Sequence, residues 1–424
     1  MNSLISRLLS FLLVLATFLT ACTPRPALSL VQSSLPRLTD PPVAPDNLQT
    51  LVNGNNAFAL DLYHVLAGND NLIVSPYSIS LALAMTYGGA RGDTAAQMAQ
   101  TLHFNLPDEA LHAAFNRLDL NLEQNSAAAE QGQAFRLHIA NALWAQKDHT
   151  FRQEYLDLLA VNYGAGVRLA DFAQSEPTRR EINQWVSQQT EEKIQDLIPA
   201  GALDAMTRLV LVNAIYFKAD WETQFDPAAT SDAPFYRLDG SQIAVPMMSA
   251  ELSGVLYGRG DNYQAIELPY QGGTAVMDVI VPDAGQFAAL TADLNVEKLN
   301  RILGTLQPET VQLRLPKFKF TRDFDLGSTL SALGMKDAFD PSLADFSGMD
   351  GERDLYIGKV LHKAFVAVDE KGTEAAAATA VVMRLTAILP AGVEMTVDRP
   401  FIFLIRDLAS GQILFLGQVL NPAQ

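Results

Sequence analysis

The chain has 424 residues, 49% of them hydrophobic and 18% charged, with a formal net charge of −17. That balance suits a packed globular protein and excludes a disordered one. The acidic surface argues against nucleic acid and other polyanions as partners, and a single cysteine, Cys22, excludes any intramolecular disulfide.

Residues 1–21 read as a targeting segment: Arg7 supplies a sparse positive charge, and residues 8–19 form an apolar run shorter than a membrane span. Leu19-Thr20-Ala21-Cys22 resembles a bacterial lipobox. This implies a lipid on Cys22 and attachment to the outer face of the bacterial membrane; an ordinary signal peptide with secretion is the other reading. Residues 22–47 hold Pro24, Pro26, Pro36, Pro41, Pro42 and Pro45 with few large apolar side chains, the composition of a stiff, extended tether. The folded body is expected over residues 48–424.

From Asn55, the spacing of Phe58, Leu60, Leu62, Tyr63 and Leu66 predicts a helix, broken at Gly68-Asn69-Asp70. Ser75 caps a second helix, with Pro76 in its first turn and Gly88-Gly89 at its end. Residues 105–135 read as helix followed by a polar stretch, and 141–145 as a strand. Residues 179–197 form an amphipathic helix with Ile182, Trp185, Val186, Ile194 and Leu197 inward. The nearly continuous apolar run 209–221 is the pattern of a strand buried on both faces. Residues 265–270 and 275–282 form a hairpin around Gly272-Gly273, and 311–318 alternates as one strand. Residues 364–368 are another strand.

The stretch that follows, Glu370-Lys371-Gly372-Thr373-Glu374-Ala375-Ala376-Ala377-Ala378-Thr379, is ambivalent. Its alanines favour helix, yet it is too short to be a stable helix alone. Extended, it places Thr373, Ala375, Ala377, Thr379 and Val381 on one face, all small or β-branched and uncharged. Such a face can enter a sheet interior without burying an unpaired ion.

This stretch resembles the hinge of an inhibitory serpin. Further resemblances to that family lie in Asn71-Leu72-Ile73-Val74-Ser75-Pro76-Tyr77-Ser78, in Asn183-Gln184-Trp185-Val186, in the run 209–221, and in Asp398-Arg399-Pro400-Phe401. Together they span about residues 48–422. The resemblance implies an α+β serpin fold: a large, mainly antiparallel central β-sheet, smaller sheets, about nine helices, and an exposed reactive-centre loop over about 370–390. It implies that Ser75 and Ser78 lie under the point where the central sheet parts, that Asn213 and His362 latch the sheet closed, and that Trp221 marks where the loop first inserts. It also pairs Lys317 with Glu370, read as a surface ion pair worth ~0–1 kcal/mol. Glu192 and Ala219 depart from the family, which has glycine at both positions; the first puts the turn after its helix in question.

The function implied is inhibition of serine proteases by a suicide-substrate mechanism, in which the cleaved loop inserts into the central sheet. The family's usual span places the reactive bond at Thr386–Ala387, suiting elastase- or subtilisin-like targets. A register two residues earlier presents Arg384–Leu385 to trypsin-like targets. The alternative is a non-inhibitory serpin acting as carrier, chaperone or scaffold, although such relatives carry charged or bulky residues at the inward hinge positions. The chain has no GxSxG elbow or P-loop, and no enzyme activity is expected. His64, His103, His112, His138, His149 and His362 lack metal-ligand spacing, so no metal or other cofactor is expected. Asp108, Glu109 and a lone Arg117 in the helix after residue 105 argue against heparin. A monomer is expected.

Overall fold

The computed structural model describes residues 29–127, 135–373 and 392–424. Among the described residues, sixteen strands, numbered in chain order, form two sheets. The central sheet runs β1 (Leu30–Val31), β4 (Val167–Ala170), β3 (Arg136–Gln146), β5 (Leu209–Asp220), β13 (Gly372–Thr373), β12 (Ile357–Val368), β11 (Phe318–Asp325). The other nine strands form one continuous path, β14 (Val393–Thr396), β10 (Gln307–Pro316), β7 (Gln242–Arg259), β8 (Tyr263–Pro269), β9 (Ala275–Pro282), β15 (Phe401–Asp407), β16 (Ile413–Val419), β2 (Leu72–Val74), with β6 (Ser231–Tyr236) beside β7. Ten α-helices occur among the described residues: α1 (Pro45–Leu66), α2 (Pro76–Tyr87), α3 (Gly92–Thr101), α4 (Asp108–Ala127), α5 (Gln153–Tyr163), α6 (Ser175–Gln189), α7 (Phe287–Ala292), α8 (Val296–Gly304), α9 (Gly327–Ala332) and α10 (Ser347–Asp350). None is long and apolar enough to cross a membrane.

Apolar side chains alternate across β5, so both faces of the central sheet are covered. On one face, Val210 and Val212 join Trp144 and Leu361 under Ile182 and Val186 of α6. On the other, Leu211, Ile215 and Phe217 belong to the main core with the second sheet. The pairings in the central sheet are antiparallel except two: β3–β4, and β5–β12 at its middle, are parallel.

Ser75 caps α2 as expected: its hydroxyl accepts from Ser78 N, Pro76 opens the helix and Gly88 closes it. Other boundaries differ. α1 begins at Pro45 rather than Asn55, because the polar residues of its first turns mask the helical period. Residues 29–44, whose composition reads as tether, are docked on the body: Leu30–Val31 pairs with β4, and Arg37 reaches into α4. The alternating run 311–318 is two strands. Chain direction changes at Lys317, where β10 of one sheet hands over to β11 of the other. α6 stops at Gln189, and the turn beyond it holds Glu191 and Glu192 at φ 48° and 62°, with Glu192 N bonded to Ser187 O at 2.8 Å. The family's glycine position is thus left-handed here and is occupied by glutamate, a conformation that costs an L-residue about 1–2 kcal/mol.

Candidate functional site

β5 and β12 pair directly along 209–216 and 357–365. Beyond that seam they part, and β13 fills the gap, antiparallel to both: Thr373 faces Ala219 and Val368, and Gly372 faces Asp220. A turn feeds the wedge, with Lys371 N donating to Asp369 Oδ1 at 2.9 Å and Asp369 N to Gly372 O at 3.0 Å. Glycine is required at 372, since a Cβ there would lie 2.0 Å from the Ala219 carbonyl oxygen. Ala219 itself, at 3% exposure, fits without displacing the strand.

Thr373 is 1% exposed, and its hydroxyl lies 2.6 Å from that of Tyr270. The Tyr270 ring stacks on Trp221 at 4.6 Å between centroids. Trp221 in turn holds the turn through its backbone N–H to Lys371 O at 2.7 Å and its indole N–H to Asp369 O at 3.0 Å. Trp221 thus lies at the mouth of the gap, bonded to the turn that leads into β13.

Glu370 is more enclosed than a surface pair would be, at 9% exposure. One carboxylate oxygen accepts from Lys317 Nζ at 2.7 Å and the other from Thr230 Oγ1 at 2.8 Å. Burial pushes its pKa up, but the bonds from Lys317, its own backbone and Thr230, with the Lys317 charge, outweigh burial and hold it below the ordinary value. The corner at Lys317 thus fixes the start of the hinge by a charge-assisted contact.

The polar cluster lies lower on the seam. Asn213 on β5 and His362 on β12 are register partners, and His362 Nδ1 meets Asn213 Oδ1. Ser75 N donates to His362 Nε2 at 3.2 Å, so Nε2 is unprotonated and Nδ1 carries the hydrogen given to Asn213. Asn213 Nδ2 donates to Ser78 Oγ and to Asn141 Oδ1, each at 2.5 Å, and Ser75 Oγ donates to Leu414 O at 2.7 Å. His362 is fully buried; burial brings its pKa down to about 3, against an opposing bond from Asn213. The neutral imidazole therefore joins the two strands that flank the seam to the α2 cap.

Asn141, Tyr270 and Thr230 complete these arrangements, and sequence reasoning gave none of them a role. For Asn141 a signal existed: Asn-Ala occurs inside the apolar runs of both β3 and β5, and the two asparagines are register partners. Of the histidines, His149 meets Asp350 at 3.0 Å and Asp354 at 3.8 Å, residues too distant in sequence for spacing to suggest. Cys22, the hinge residues Glu374, Ala375, Ala376, Ala377, Ala378 and Thr379, and the reactive-bond candidates Arg384, Leu385, Thr386 and Ala387 lie outside the described residues.

Residues 53–422 match the family Serpin (serine protease inhibitor). The leukocyte elastase inhibitor of Homo sapiens is 40% identical over 391 residues, covering 88% of this chain and 100% of its own. The chain belongs to the serpin family. Solved serpin structures agree: Serpin48 of Tenebrio molitor superposes with a TM-score of 0.78 at 31% identity, over 88% of this chain and 98% of its own. Human thyroxine-binding globulin, in complex with thyroxine, gives 0.80 at 32% identity over 89% and 99%. The serpin fold is α+β, and family and relatives alike support protease inhibition.

Proposed function

We propose that this serpin is a suicide-substrate inhibitor of serine proteases, acting by insertion of its cleaved loop into the central sheet. The observation that carries the reading is the wedge: Gly372–Thr373 already occupies the gap above the parallel β5–β12 seam, antiparallel to both strands. A strand continuing from Thr373 would replace one parallel pairing by two antiparallel ones, the slightly more stable arrangement per residue. Residues 373–386 would extend roughly 46 Å at ~3.3 Å per residue, longer than the roughly 40 Å of β5. The segment is long enough to run the length of the seam.

In chemical terms, the hydroxyl of the target's serine attacks the carbonyl carbon of Thr386, and an ester forms as the amine of Ala387 leaves. Insertion of residues 373–386 then carries the acylated protease away from the geometry its deacylation needs. The likeness to a leukocyte elastase inhibitor supports an elastase- or subtilisin-like target; cleavage at Arg384–Leu385 would instead serve trypsin-like enzymes. The likeness to thyroxine-binding globulin favours the second reading, a non-inhibitory carrier, but the small, uncharged Thr373 at the inward position favours insertion. Export with a lipid on Cys22, on the outer face of a bacterial membrane, completes the proposal, and secretion is its alternative; the working unit is a monomer.

The test is incubation with an elastase, a subtilisin and a trypsin, followed by denaturing electrophoresis and mass analysis. A covalent complex and a released peptide beginning at Ala387 are expected. A peptide beginning at Leu385 moves the register, and cleavage by all three with no covalent complex overturns inhibition.

A further inference from the structure

Residues 29–44 precede the span shared with the family, which begins at residue 53, yet they are bound at both ends. At one end, Leu30–Val31 adds an edge strand to β4, and Leu169 N donates to Ser29 O at 2.8 Å. Gly166 lets this strand approach, since a Cβ there would lie 2.5 Å from Val31 O. Ser33 Oγ donates to Asp157 of α5 at 2.5 Å, and Leu38 N to Val161 O at 2.9 Å. At the other end, Arg37 holds three groups of α4: Asn116 Oδ1 at 2.9 Å, Asp119 at 2.7 Å and Glu123 at 2.8 Å. The fully buried Asn116 returns donors to Leu38 O and Val161 O, and Arg117 donates to Asp40 at 2.5 Å.

These contacts tie the β4 side of the central sheet, with α5, to α4. β4, β3 and β5 form the half of the sheet on one side of the seam, and α5 connects β3 to β4. α4 packs on α1, and its Asp119 accepts from Tyr77 of α2 at 2.9 Å. It also meets the sheet side directly, Asn116 donating to Val161 O of α5 at 3.3 Å and Ser126 Oγ accepting from Leu137 N of β3 at 3.2 Å, and residues 29–44 add to these bonds. Admitting a strand between β5 and β12 moves the first half aside by about 4.8 Å, one strand spacing. Hydrogen bonds lose most of their value over such a distance.

We propose that residues 29–44 are a built-in brake on sheet opening, a strap that binds the β4 edge and α5 to α4 and so holds the β5–β12 seam closed. The strap sets how readily the seam parts. Its role in timing loop insertion rests on the function proposed above, whereas its effect on the seam does not.

Amide hydrogen exchange at residues 209–216 and 357–365 of the full-length chain reads the seam itself. Arg37→Ala removes the charge-assisted contacts, and Val31→Pro removes a ladder donor from the edge strand. Each is expected to speed seam exchange about tenfold, because a hydrogen bond to a charged group contributes roughly a factor of ten or more. Ser33→Ala removes two bonds, the one Ser33 Oγ donates to Asp157 and the one it accepts from Leu35 N, but leaves the ion pairs, so it should show a smaller change of the same sign. Unchanged seam exchange while amides 30–38 exchange rapidly overturns the brake. Annealing of a synthetic peptide matching residues 373–386 is the second measurement. If seam exchange accelerates but neither wild type nor variants take up peptide or gain stability on nicking, the brake stands and the insertion mechanism falls.

Discussion

The backbone N–H of Ser75 points at Nε2 of His362 from 3.2 Å, which fixes the imidazole as neutral. A protonated ring would confront that N–H with a second donor in a site with no water-facing side. Its folded pKa of about 3 lies below the ordinary value of 6.5, so between those limits the unfolded chain binds more protons than the native one. The contribution is complete above pH 6.5 and is lost progressively as pH falls toward 3. His112, brought down to about 4 by burial, acts with the same sign. The difference between wild type and His362→Gln therefore isolates the residue. The variant should be less stable at pH 8 in urea unfolding, yet lose less between pH 6.5 and pH 4; parallel curves would contradict this.

Thr373→Arg places a charge at a 1% exposed position beside Tyr270 and within the ladder to Ala219. Burying an unpaired cation costs several kcal/mol, so the wedge should not form. The loop should still be cut, but insertion should lag behind deacylation, converting inhibitor to substrate. Stoichiometry of inhibition measures this: a rise of about tenfold or more is expected, and an unchanged value would reject insertion in this chain.

Lys317→Met leaves Glu370 enclosed with Thr230 as its only side-chain donor among the described residues. Loss of a bond to a charged group contributes about 1.5–3 kcal/mol, and the partly exposed lysine puts the expectation at the lower end. Wild type carries the Glu370 stabilisation above pH 4.5 and loses it as pH falls through the lowered folded pKa. The destabilisation by Lys317→Met should therefore be present at pH 7 and shrink below pH 4. Urea midpoints at the two pH values decide it.

Gly372→Ala introduces a Cβ 2.0 Å from a main-chain oxygen, which cannot give way as a flexible side chain would. The wedge should withdraw, at a loss of about 1–3 kcal/mol. Faster amide exchange at Ala219 and Asp220, with the seam below them little changed, is the expected signature.

Glu192→Gly should stabilise the turn after α6 by up to about 1 kcal/mol, since glycine adopts φ 62° without a Cβ clash. A melting temperature unchanged or lowered would show that Glu192 makes a compensating contribution elsewhere.

The sequence was most legible where one local cause dominates. The run in β5 is apolar on both faces because both faces are covered, and the cap at Ser75 with Pro76 and Gly88 needs only neighbours in the chain. It was least legible where a partner distant in sequence decides. Inward positions are odd-numbered in β10, at Val311, Leu313 and Leu315, and even-numbered in β11, at Phe318 and Phe320; that one-residue slip at Pro316-Lys317 reads as an irregularity within one strand until β7 and β12 are in place to show the change of sheet. Two residues of edge strand at Leu30–Val31 carry no period at all; their docking depends on Gly166 and on α4. Glu370 read as a surface carboxylate because Thr230, 140 residues away, cannot be anticipated from the hinge.

The docking of residues 29–44 also resets a length. Were Cys22 to carry a lipid, as proposed, the docking of Ser29 would cap the distance from lipid to globule at roughly 20 Å, the span of six residues, instead of about 80 Å for a tether reaching to residue 47. So tethered, the protein would reach only the first protein-sized layer above the membrane, and its targets would have to come to it.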